Sequence, residues 1–581
     1  MAHPKEFDLA AARHTAAHIL AAASTKLKPD TKLGVGPAID NGFYHDIDVS
    51  QHYTLDDLPT LQAEMEKIVA MDLPITQRDV SKDEARQIFA HDPYKLELIN
   101  EIEDDNVGIS DMGDGFFVTL CRGGHAPSTG KIGAFTLTRL AGVYWKGDAT
   151  KPQLQRIYGV LFPTAKELRV FEQQQTEAKK RDHKVLGPQL GLFAFSSLVG
   201  PGLPLFLPKG ATAVHELAQF IRQEKEKRGY RFVIIPHIAK TALYEKSGHL
   251  GKYDAMMPTM IDPDGDTYVM KPMNCPHHFE IYNAQPHSYK DLPLRLAETT
   301  TVYRNEKSGE LSGLVRVKSL TQDDTHHFVR HDQIEAEIAM ILELMDTVYK
   351  TFAFTDYRVQ ISVRDPKTPE KYFGDNSLWE ASERYLLEAV QRWGRPYEVV
   401  PGEAAFYGPK IDIMVKDSIG REWQLTTLQL DFNQPENFHL RYIGEDGKDH
   451  APAVLHVAIL GSIERFFGIL IEHYAGALPL WLAPVQVVIA PIADDQAAYA
   501  ETIATTLTAA GLRVDIDRRA ESIGKKIREA QLQKVPYTFI VGKKEVADNT
   551  IAVRSREKGD EGTKTIDEIK SAFLQQIKLK K

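Results

Sequence analysis

The segment from residue 294 to residue 325 carries the most specific pattern in this 581-residue chain. Alternate residues from 298 to 306 would share one face of a strand, since successive side chains point to opposite faces. A glycine-bearing loop follows, and residues 315–318 alternate again as a returning strand. Two strands joined by a hairpin would bring together three charged side chains: Arg304, Glu306 and Arg316.

The chemistry of these three side chains suits a nucleotide. Arginine binds phosphate oxygens in a fixed fork, and a carboxylate can accept hydrogen bonds from a purine amino group. The alternative is a solvated hairpin whose charges face water, and the segment alone leaves both interpretations open.

A second pattern favours the nucleotide interpretation. The apolar run 453–459 predicts a strand, and the next segment, Leu460-Gly-Ser-Ile-Glu-Arg-Phe466, predicts the start of a helix. Small residues there allow close approach, and Arg465 can reach an anion. Arg-x-Glu on a hairpin followed by Gly-Ser-x-Glu-Arg is a more specific pattern than either motif alone.

Composition bounds the class of protein. The chain is 43% hydrophobic and 26% charged, which is typical of soluble globular proteins, and its length predicts about three to four domains. The start lacks the apolar stretch of a signal peptide, and no run of about 18 apolar residues predicts a membrane span. The net charge of −10 disfavours indiscriminate nucleic-acid binding but allows an RNA partner held by local basic patches.

Breaks in the pattern predict four regions. Residues 1–165 form a helix-led first domain, 166–186 a charged linker helix ended by Gly187-Pro188, and 187–484 a large central domain. From 485 to 581, strands at 487–490, 513–516 and 537–541 alternate with helices at 495–510 and 523–534. This alternation predicts a small α/β domain with a largely parallel sheet.

The two cysteines, Cys121 and Cys275, each lie beside histidines. So few thiols in so long a chain cannot form a disulfide framework and indicate a reducing compartment. Spacing alone pairs Cys275 with His278 as a metal half-site. Spacing also places His14 and His18 on one helix face and gives Cys121 and His125 the same interval, which fits either a zinc tetrad or a metal-free polar pocket.

Several motifs together resemble a known family. Tyr303-Arg-Asn-Glu306 resembles motif 2 of class II aminoacyl-tRNA synthetases, Gly461-Ser-Ile-Glu-Arg465 resembles motif 3, and Phe232-Val-Ile-Ile-Pro236 resembles motif 1, which forms the dimer interface. Within that class the chain is similar to the threonyl-tRNA synthetases over essentially its whole length. The more specific matches are Lys271-Pro-Met-Asn-Cys-Pro276, Thr321-Gln-Asp-Asp-Thr-His326, Ala405-Phe-Tyr-Gly-Pro-Lys410, Leu428-Gln-Leu-Asp-Phe432 and His456-Val-Ala-Ile-Leu-Gly461.

The resemblance implies an α+β multidomain fold. Its catalytic core would be an antiparallel sheet with flanking helices, preceded by an α+β editing domain and followed by an α/β anticodon-binding domain. It implies a cytoplasmic homodimer of bacterial type that lacks an N-terminal ubiquitin-like domain and uses ATP, L-threonine and the threonine tRNA. The alternatives are a serine- or proline-type class II ligase and a non-catalytic RNA-binding paralogue.

The resemblance also implies a zinc site that local spacing does not predict. Zinc would be held by Cys275, His326 and His456, with an open position for the amino group and hydroxyl of threonine. Valine lacks that hydroxyl, so a site built to bind it rejects valine strongly. His278 and His327 are expected to be ordinary core residues.

By the same resemblance, other residues bind the two substrates. Asp324 would hold the threonine hydroxyl, and Gln322 and Gln429 would orient the amino acid. Arg304 would bind the α-phosphate and Glu306 the adenine, while Arg316 and Arg465 would bind the other phosphates together with Mg²⁺. The same pocket would be lined by Met273, Tyr407, Lys410 and Ser462.

Serine is the substrate that such a site cannot refuse. It keeps the hydroxyl and lacks one methyl group, which changes binding by only about 1–3 kcal/mol. The resemblance implies a second, metal-free pocket that hydrolyses Ser-tRNA, lined by His14, His18, Lys95, Cys121 and His125. Two positions depart from the family pattern: Thr119 replaces an acidic residue, and Gly124 replaces a proline.

The last region is locally basic, and its lysines and arginines include Arg518, Arg519, Lys525, Lys526, Arg528, Lys543, Lys544, Arg554 and Arg556. A solvated charged face is the simpler explanation of such a run. The resemblance implies instead that the region reads the anticodon, with Glu545 and Arg554 at positions that contact its bases.

Overall fold

The computed structural model describes residues 8–148 and 150–580 and divides into two compact units between Thr176 and Glu177. Residues 1–7, with which the predicted first domain begins, lie outside the described part. None of the helices within the described part combines the length and the hydropathy that crossing a membrane requires.

The first unit contains helices and antiparallel strands in one alternating series. In chain order its elements are α1 (Leu9–Leu27), β1 (Lys32–Leu33), β2 (Ala38–Ile39), β3 (Gly42–Asp48), α2 (Leu58–Ala70), β4 (Ile75–Ser81), α3 (Lys82–Ile88), α4 (Pro93–Glu101), β5 (Asn106–Met112), β6 (Phe117–Leu120), β7 (Ala134–Tyr144) and β8 (Gln153–Phe162). Helix α5 (Ala165–Arg181) follows.

Helix α1 is the centre of the first core. Asp8 caps it by accepting a hydrogen bond from Ala11 N at 3.0 Å. Its alanines, except Ala10 in the first turn, are almost fully buried, and the helix packs closely against α2 and β3 because small side chains let the backbones approach. One sheet has the order β1-β3-β8-β7 with β2 beside β3, and β4, β5 and β6 form a second. All these pairs are antiparallel, so the unit is α+β.

The segment predicted as one linker helix over 166–186 contains two helices. Helix α5 ends at Arg181, and α6 (His183–Gln189) begins after Asp182, whose side chain accepts from Lys184 N at 2.8 Å. A capping side chain that starts a new helix explains the break. Gly187 and Pro188, which the sequence pattern places at the end of the linker helix, lie inside α6.

The second unit has a long central series of elements. They are β9 (Phe193–Ala194), β10 (Leu205–Phe206), α7 (Pro208–Glu226), β11 (Arg231–Phe232), β12 (Ile238–Lys240), α8 (Thr241–Lys246), β13 (Met260–Ile261), β14 (Thr267–Met270), α9 (Cys275–Asn283), β15 (Leu294–Ala297), β16 (Thr300–Tyr303), β17 (Ser319–Val329), α10 (Ile334–Thr351), β18 (Tyr357–Val363), α11 (Asn376–Trp393), β19 (Tyr397–Pro401), β20 (Lys410–Lys416), β21 (Glu422–Asp431), α12 (Gln434–Asn437), β22 (Tyr442–Ile443), β23 (Asp449–His450), β24 (Ala453–Ser462) and α13 (Ile463–His473).

The main sheet of this unit has the order β11-β15-β17-β24-β21-β20-β18-β19, with β16 also paired to β17. Its pairs are antiparallel except the two at the edges, β11 with β15 and β18 with β19. Every residue of β24 is buried, and α10 and α13 pack on it. An antiparallel sheet flanked by helices is the core that the family resemblance implies.

The predicted hairpin differs from the observed one in its return. Strand β16 ends at Tyr303, and the returning strand β17 begins at Ser319 rather than at Val315. Residues 312–316 form a turn instead, closed by backbone hydrogen bonds in both directions between Ser312 and Arg316. Gly313 takes a φ of +49° there, a conformation that glycine adopts without strain.

The chain ends in β25 (Val487–Pro491), α14 (Ala497–Ala509), β26 (Val514–Ile516), α15 (Ile523–Leu532), β27 (Tyr537–Val541), α16 (Lys543–Asp548), β28 (Ile551–Ser555), β29 (Gly559–Lys564) and α17 (Ile566–Lys578). Strand β25 is parallel to β26 and β27, as the alternation predicts. Strands β28 and β29 add an antiparallel hairpin, so the sheet is mixed rather than largely parallel. Their connections are too short for a parallel crossover.

Candidate functional site

A cavity of about 400 Å³ opens over the main sheet of the second unit. Strands β17, β24 and β21 are neighbours there, and their register places His326 opposite His456 and Gln429 opposite the same histidine. Twelve predicted site residues line the cavity: Met273, Cys275, Arg304, Gln322, Asp324, His326, Tyr407, Lys410, Gln429, His456, Ser462 and Arg465.

Cys275, His326 and His456 meet at one end of this cavity. Their ligand atoms lie within 4.8 Å of one another, and all three residues are buried. Burial holds the pKa of His326 well below its usual value, so the imidazole is neutral at neutral pH and one of its ring nitrogens carries no proton. Asp431 Oδ2 lies 2.9 Å from His456 Nε2 and orients that ring. A buried thiol with two imidazoles is a donor set that suits zinc.

His278, the partner that spacing alone suggests for Cys275, takes a different role. Its Nδ1 lies 2.8 Å from Nδ1 of His326, so it contacts a histidine of the cluster through a hydrogen bond. The half-site predicted from spacing is therefore replaced by three donors from separate segments.

Polar side chains next to the cluster are held in place by hydrogen bonds. Asn274 Nδ2 donates to Asp324 Oδ2 at 2.9 Å, and the Tyr407 hydroxyl donates to Gln429 Oε1 at 2.7 Å. Lys410 Nζ lies 3.0 Å from a carboxylate oxygen of Asp412. These groups can recognise a small molecule that carries both charges and a hydroxyl.

Arg304 and Arg465 face the other end of the cavity. Arg465 donates from Nε to Val315 O and from Nη1 to Gln424 O, both at 2.7 Å. Burial, followed by the nearby charges of Arg304 and Arg316, lowers the pKa of Arg465 to about 10, and it stays protonated at neutral pH. Two cations in a partly closed site attract an anion such as phosphate.

Glu306 and Arg316 pair with each other beside the cavity rather than forming its wall. Arg316 donates to Glu306 Oε2 at 2.9 Å from Nε and 2.7 Å from Nη2, and it also reaches Glu310. The sequence prediction that the hairpin brings Glu306 and Arg316 together agrees with this contact.

Sequence reasoning missed several cavity residues. His249, Tyr253, Phe406, Gln424 and Thr427 also line the cavity. His249 Nδ1 lies 2.7 Å from Ser247 Oγ, and burial lowers its pKa to about 3. The Ser-Gly-His run at 247–249, in the segment between α8 and β13, was the available signal for this position.

The first unit contains the second cysteine cluster. His14 and His18 lie on one face of α1, and Cys121 and His125 lie in the loop after β6; their ligand atoms are within 4.8 Å of one another. Cys121 Sγ lies 3.3 Å from His14 Nε2, and His14 Nδ1 lies 3.2 Å from Gly124 O. The predicted four residues are thus brought together.

Burial keeps the histidines of this pocket neutral. It lowers the pKa of His125 to about 4 and that of the neighbouring His45 to about 3. The fifth predicted residue, Lys95, is buried, donates to Gly34 O at 3.0 Å, and has its pKa lowered by burial to about 8. Neutral imidazoles beside an ammonium group can orient and polarise a water molecule.

The two positions that depart from the family pattern differ in their surroundings. Thr119 is buried on β6 and pairs with Ser110 of β5. Gly124 has open space where a Cβ would be, so the position does not demand glycine. At the preceding Gly123 a Cβ would lie 2.1 Å from His14 Cε1, so any larger residue would require the imidazole of His14 to shift.

The two predicted anticodon residues lie on neighbouring elements. Glu545 lies in the first turn of α16 and accepts from Gly542 N at 2.8 Å, while Arg554 lies on β28 with Nε buried and without a hydrogen-bond partner. Much of the surrounding positive charge is paired: Arg518 with Glu501, Arg519 with Asp517 and Glu529, and Lys525 with Glu521.

Three known families match successive parts of the chain. Residues 107–158 match the "Threonyl and Alanyl tRNA synthetase second additional domain". Residues 258–474 match the "tRNA synthetase class II core domain (G, H, P, S and T)", and 486–576 match the "Anticodon binding domain".

Individual proteins agree with these matches. The threonine–tRNA ligase of Rubrobacter xylanophilus is 49% identical over 95% of this chain and 86% of its own length. That of Dehalococcoides mccartyi is 46% identical over 99% of this chain and 97% of its own. The crystal structure titled as the RNA binding domain of threonyl-tRNA synthetase from Cryptosporidium parvum superposes with a TM-score of 0.65 at 36% identity, covering 68% of this chain and 98% of that one. A prolyl-tRNA synthetase of Giardia lamblia, at 19% identity and a TM-score of 0.54, shares the fold alone. With a class II core, an anticodon-binding domain and relatives this similar over nearly its full length, the chain belongs to the threonyl-tRNA synthetase family.

Proposed function

We propose that this protein ligates L-threonine to the threonine tRNA at the expense of ATP. One observation carries the proposal: a buried Cys275, His326 and His456 cluster faces Asp324 in a cavity whose other end presents Arg304 and Arg465. Threonine fits the first end, and the phosphates of ATP fit the second.

The donor set fits zinc, which would supply a Lewis acid and an open coordination position for the amino acid. Asp324, held by Asn274, accepts the hydrogen bond of the threonine hydroxyl. Gln322 lines the same end of the cavity and, with Gln429 held by Tyr407, orients the amino acid. Lys410, Met273 and Ser462 complete the wall.

In the first step the threonine carboxylate attacks the α-phosphorus of ATP, and pyrophosphate leaves. Arg304 would bind the α-phosphate, Arg316 and Arg465 would bind the outer phosphates, whose charge Mg²⁺ would help to neutralise, and Glu306 would accept from the adenine amino group. In the second step the 3′-terminal hydroxyl of the tRNA takes the threonyl group and AMP leaves. Positioning and charge neutralisation supply most of the rate acceleration.

We propose that the pocket of the first unit edits mischarged Ser-tRNA without a metal. His14, His18, Cys121, His125 and Lys95 would bind and orient the water that hydrolyses the ester. Burial lowers the pKa of Lys95 to about 8, close to neutral pH, and lowers that of His125 to about 4, so this imidazole is neutral and can accept a hydrogen bond from the water.

The remaining organisation is also proposed. Residues 1–165 would form the editing domain, 166–186 the linker, 187–484 the catalytic domain, and 485–581 the anticodon domain, in which Glu545 and Arg554 contact bases. The protein would be a cytoplasmic homodimer. The dimer is supported by the segment that resembles motif 1, where Ile234 is 94% exposed beside the edge strand β11.

The test is ATP–pyrophosphate exchange with a panel of amino acids, with and without a zinc chelator. We expect exchange with threonine, weak exchange with serine, and loss of both after chelation. Exchange with proline instead, or serine favoured over threonine, would support the other class II ligases. Absence of exchange with every amino acid would favour a non-catalytic paralogue.

A further inference from the structure

A buried histidine outside the cavity contacts the turn that precedes Arg316. His183 begins α6 and is fully buried, with Nδ1 2.6 Å from Glu472 Oε1 of α13. On its other side, Leu314 N donates to His183 Nε2 at 3.0 Å. Since an amide N–H can only donate, Nε2 is the unprotonated nitrogen and Nδ1 carries the proton that Glu472 accepts.

The turn is therefore held from two sides. His183 accepts the N–H of Leu314, and Arg465 donates to the carbonyl of the next residue, Val315, at 2.7 Å. The backbone bonds between Ser312 and Arg316 close the turn itself. The N–H of Leu314 and the carbonyl of Val315 therefore both have fixed partners, and together they set the position of the backbone at Arg316.

Close packing leaves the turn little room beside the imidazole. A Cβ on Gly313 would lie 2.2 Å from His183 Nε2, and one on Gly468 of α13 would lie 3.2 Å from Leu314 Cβ. The anchor is fixed as well, since Glu472 Oε2 accepts from Ser418 N at 2.7 Å. The turn, α6 and α13 therefore meet at one ring.

The acidic neighbours of His183 do not make it a metal site. Asp182, His183 and Glu472 lie close enough together to be considered as ligands. Both ring nitrogens already have protein partners, and Glu472 accepts from both His183 and Ser418. The contacts are those of a hydrogen-bonded relay.

We infer that His183 is a positioning residue for adenylate formation, which fixes the turn from Ser312 to Arg316 so that Arg316 can meet the phosphates of ATP. The inference rests on the proposed function for its substrate. The residues assigned to threonine lie mainly on β17, β21 and β24, and none of them belongs to the turn from Ser312 to Arg316. Loss of His183 therefore acts on ATP and spares threonine.

Two substitutions of His183 in the full-length protein separate its two hydrogen bonds. In His183→Asn the side-chain amide replaces Nδ1 and leaves Leu314 N without an acceptor. In His183→Gln the carbonyl oxygen reaches the place of Nε2 and accepts from Leu314 N. We expect His183→Asn to raise KM for ATP in ATP–pyrophosphate exchange about tenfold, because one buried N–H is left without an acceptor. KM for threonine should change by less than about twofold. His183→Gln should recover most of the loss.

A second variant reaches the same turn from the other side. Gly313→Ala pushes the turn away from the ring without removing any hydrogen-bonding side chain, and it should show the same ATP-selective rise. Hydrogen exchange of peptides covering 307–318 should be faster in both His183→Asn and Gly313→Ala. His473→Asn, at the exposed next position on α13, is the matched control and should behave as wild type.

The outcomes are distinguishable. An unchanged KM for ATP in His183→Asn and Gly313→Ala, or an equal rise in KM for threonine, overturns the inference. Unchanged hydrogen exchange in the turn overturns it independently of activity. A wild-type protein that shows no threonine-dependent exchange overturns the proposed function instead. If His183→Asn does not fold, Gly313→Ala decides between these results.

Discussion

Lys225 and Asp323 form an ion pair inside the second unit, with Lys225 Nζ 2.9 Å from Asp323 Oδ2 and neither side chain more than 2% exposed. Asp323 also accepts from the backbone N–H groups of Ile459 and Leu460 at 3.1 and 2.9 Å. These amides lie where the register between β17 and β24 shifts. The shift leaves these two amides without a partner in the strand pairing, and the carboxylate of Asp323 accepts their hydrogen bonds instead. This contact lies next to Asp324 and ties β17 to β24, the strand that carries His456.

Removing the cation of this pair should be costly. Lys225→Met leaves a buried carboxylate without a counter-charge, and we expect the free energy of unfolding to fall by about 3–5 kcal/mol. Burial already raises the pKa of Asp323 against the opposing effect of Lys225, so the acid would become protonated more readily still. Urea denaturation at pH 7 and pH 5 measures both effects.

An exposed pair provides the control for Lys225. The side chains of Arg392 and Glu335 form an ion pair and are 55% and 49% exposed. Arg392→Met breaks this pair and should lower the free energy of unfolding by less than about 1 kcal/mol. Adding Asp323→Asn to Lys225→Met should restore part of the lost stability. A Lys225→Met protein as stable as the Arg392→Met protein would contradict the prediction.

The Asp323-Asp324 dipeptide shows what the sequence could predict. Alternation along a strand puts the two carboxylates on opposite faces, so one of them must point away from the cavity. The partner of that buried acid, Lys225, lies about a hundred residues earlier on helix α7, and no local pattern connects them. The start of the returning strand at Ser319 was not predicted for the same reason. The turn before it is held by His183 and Arg465, which are both distant in sequence.

The candidate zinc cluster shows a similar division. Spacing predicts a contact between Cys275 and His278, whereas family resemblance predicts His326 and His456. The register that places these two histidines opposite each other depends on strand pairing across more than a hundred residues. Periodicity therefore identifies the strands, and tertiary pairing decides which side chains share a site.

Zinc content can separate the two cysteine clusters. We expect the purified protein to hold about one zinc per chain, and Cys275→Ser to lose most of it because a hydroxyl is a poor zinc ligand. Threonine-dependent exchange should fall with the metal. Cys121→Ser is the matched control and should keep its zinc. Loss of zinc in Cys121→Ser instead would indicate a metal tetrad with His14, His18 and His125.

The pH dependence of Cys121 labelling follows from its pKa. Burial raises the pKa of this thiol above its usual value, so less thiolate is present at a given pH than in a free cysteine. We expect its alkylation by iodoacetamide to reach half of its maximal rate at a pH above about 8.5, the pH at which a free cysteine is half thiolate. Mass spectrometry of the labelled peptide measures this rate.

Lys95 provides the test of the cause. Its positive charge favours the Cys121 thiolate, in opposition to burial. Below a pH of about 8, where Lys95 is protonated, Lys95→Met should therefore slow the labelling of Cys121. Faster labelling in the variant, or a plateau below pH 8 in the wild type, would contradict this account of the pocket.

The adjacent glycines of the loop after β6 offer a matched pair of substitutions. A Cβ on Gly123 would lie 2.1 Å from His14 Cε1 and 2.4 Å from Nδ1, whereas a Cβ on Gly124 meets nothing within 4 Å. We expect Gly123→Ala to displace His14 and to lower the rate of Ser-tRNA deacylation at least about tenfold, the effect of a misplaced catalytic group. Gly124→Ala should keep the wild-type rate.

Both alanine variants should retain threonine-dependent pyrophosphate exchange, because neither residue belongs to the second unit. A selective loss in Gly123→Ala would then assign deacylation to the pocket that contains His14. Equal rates in the two variants would mean that the ring of His14 yields to the new methyl group without consequence, and His14 would lose its proposed place in editing. Because the two substitutions add the same atom at adjacent positions, any difference between them reports the steric contact with His14 rather than a general effect on the loop.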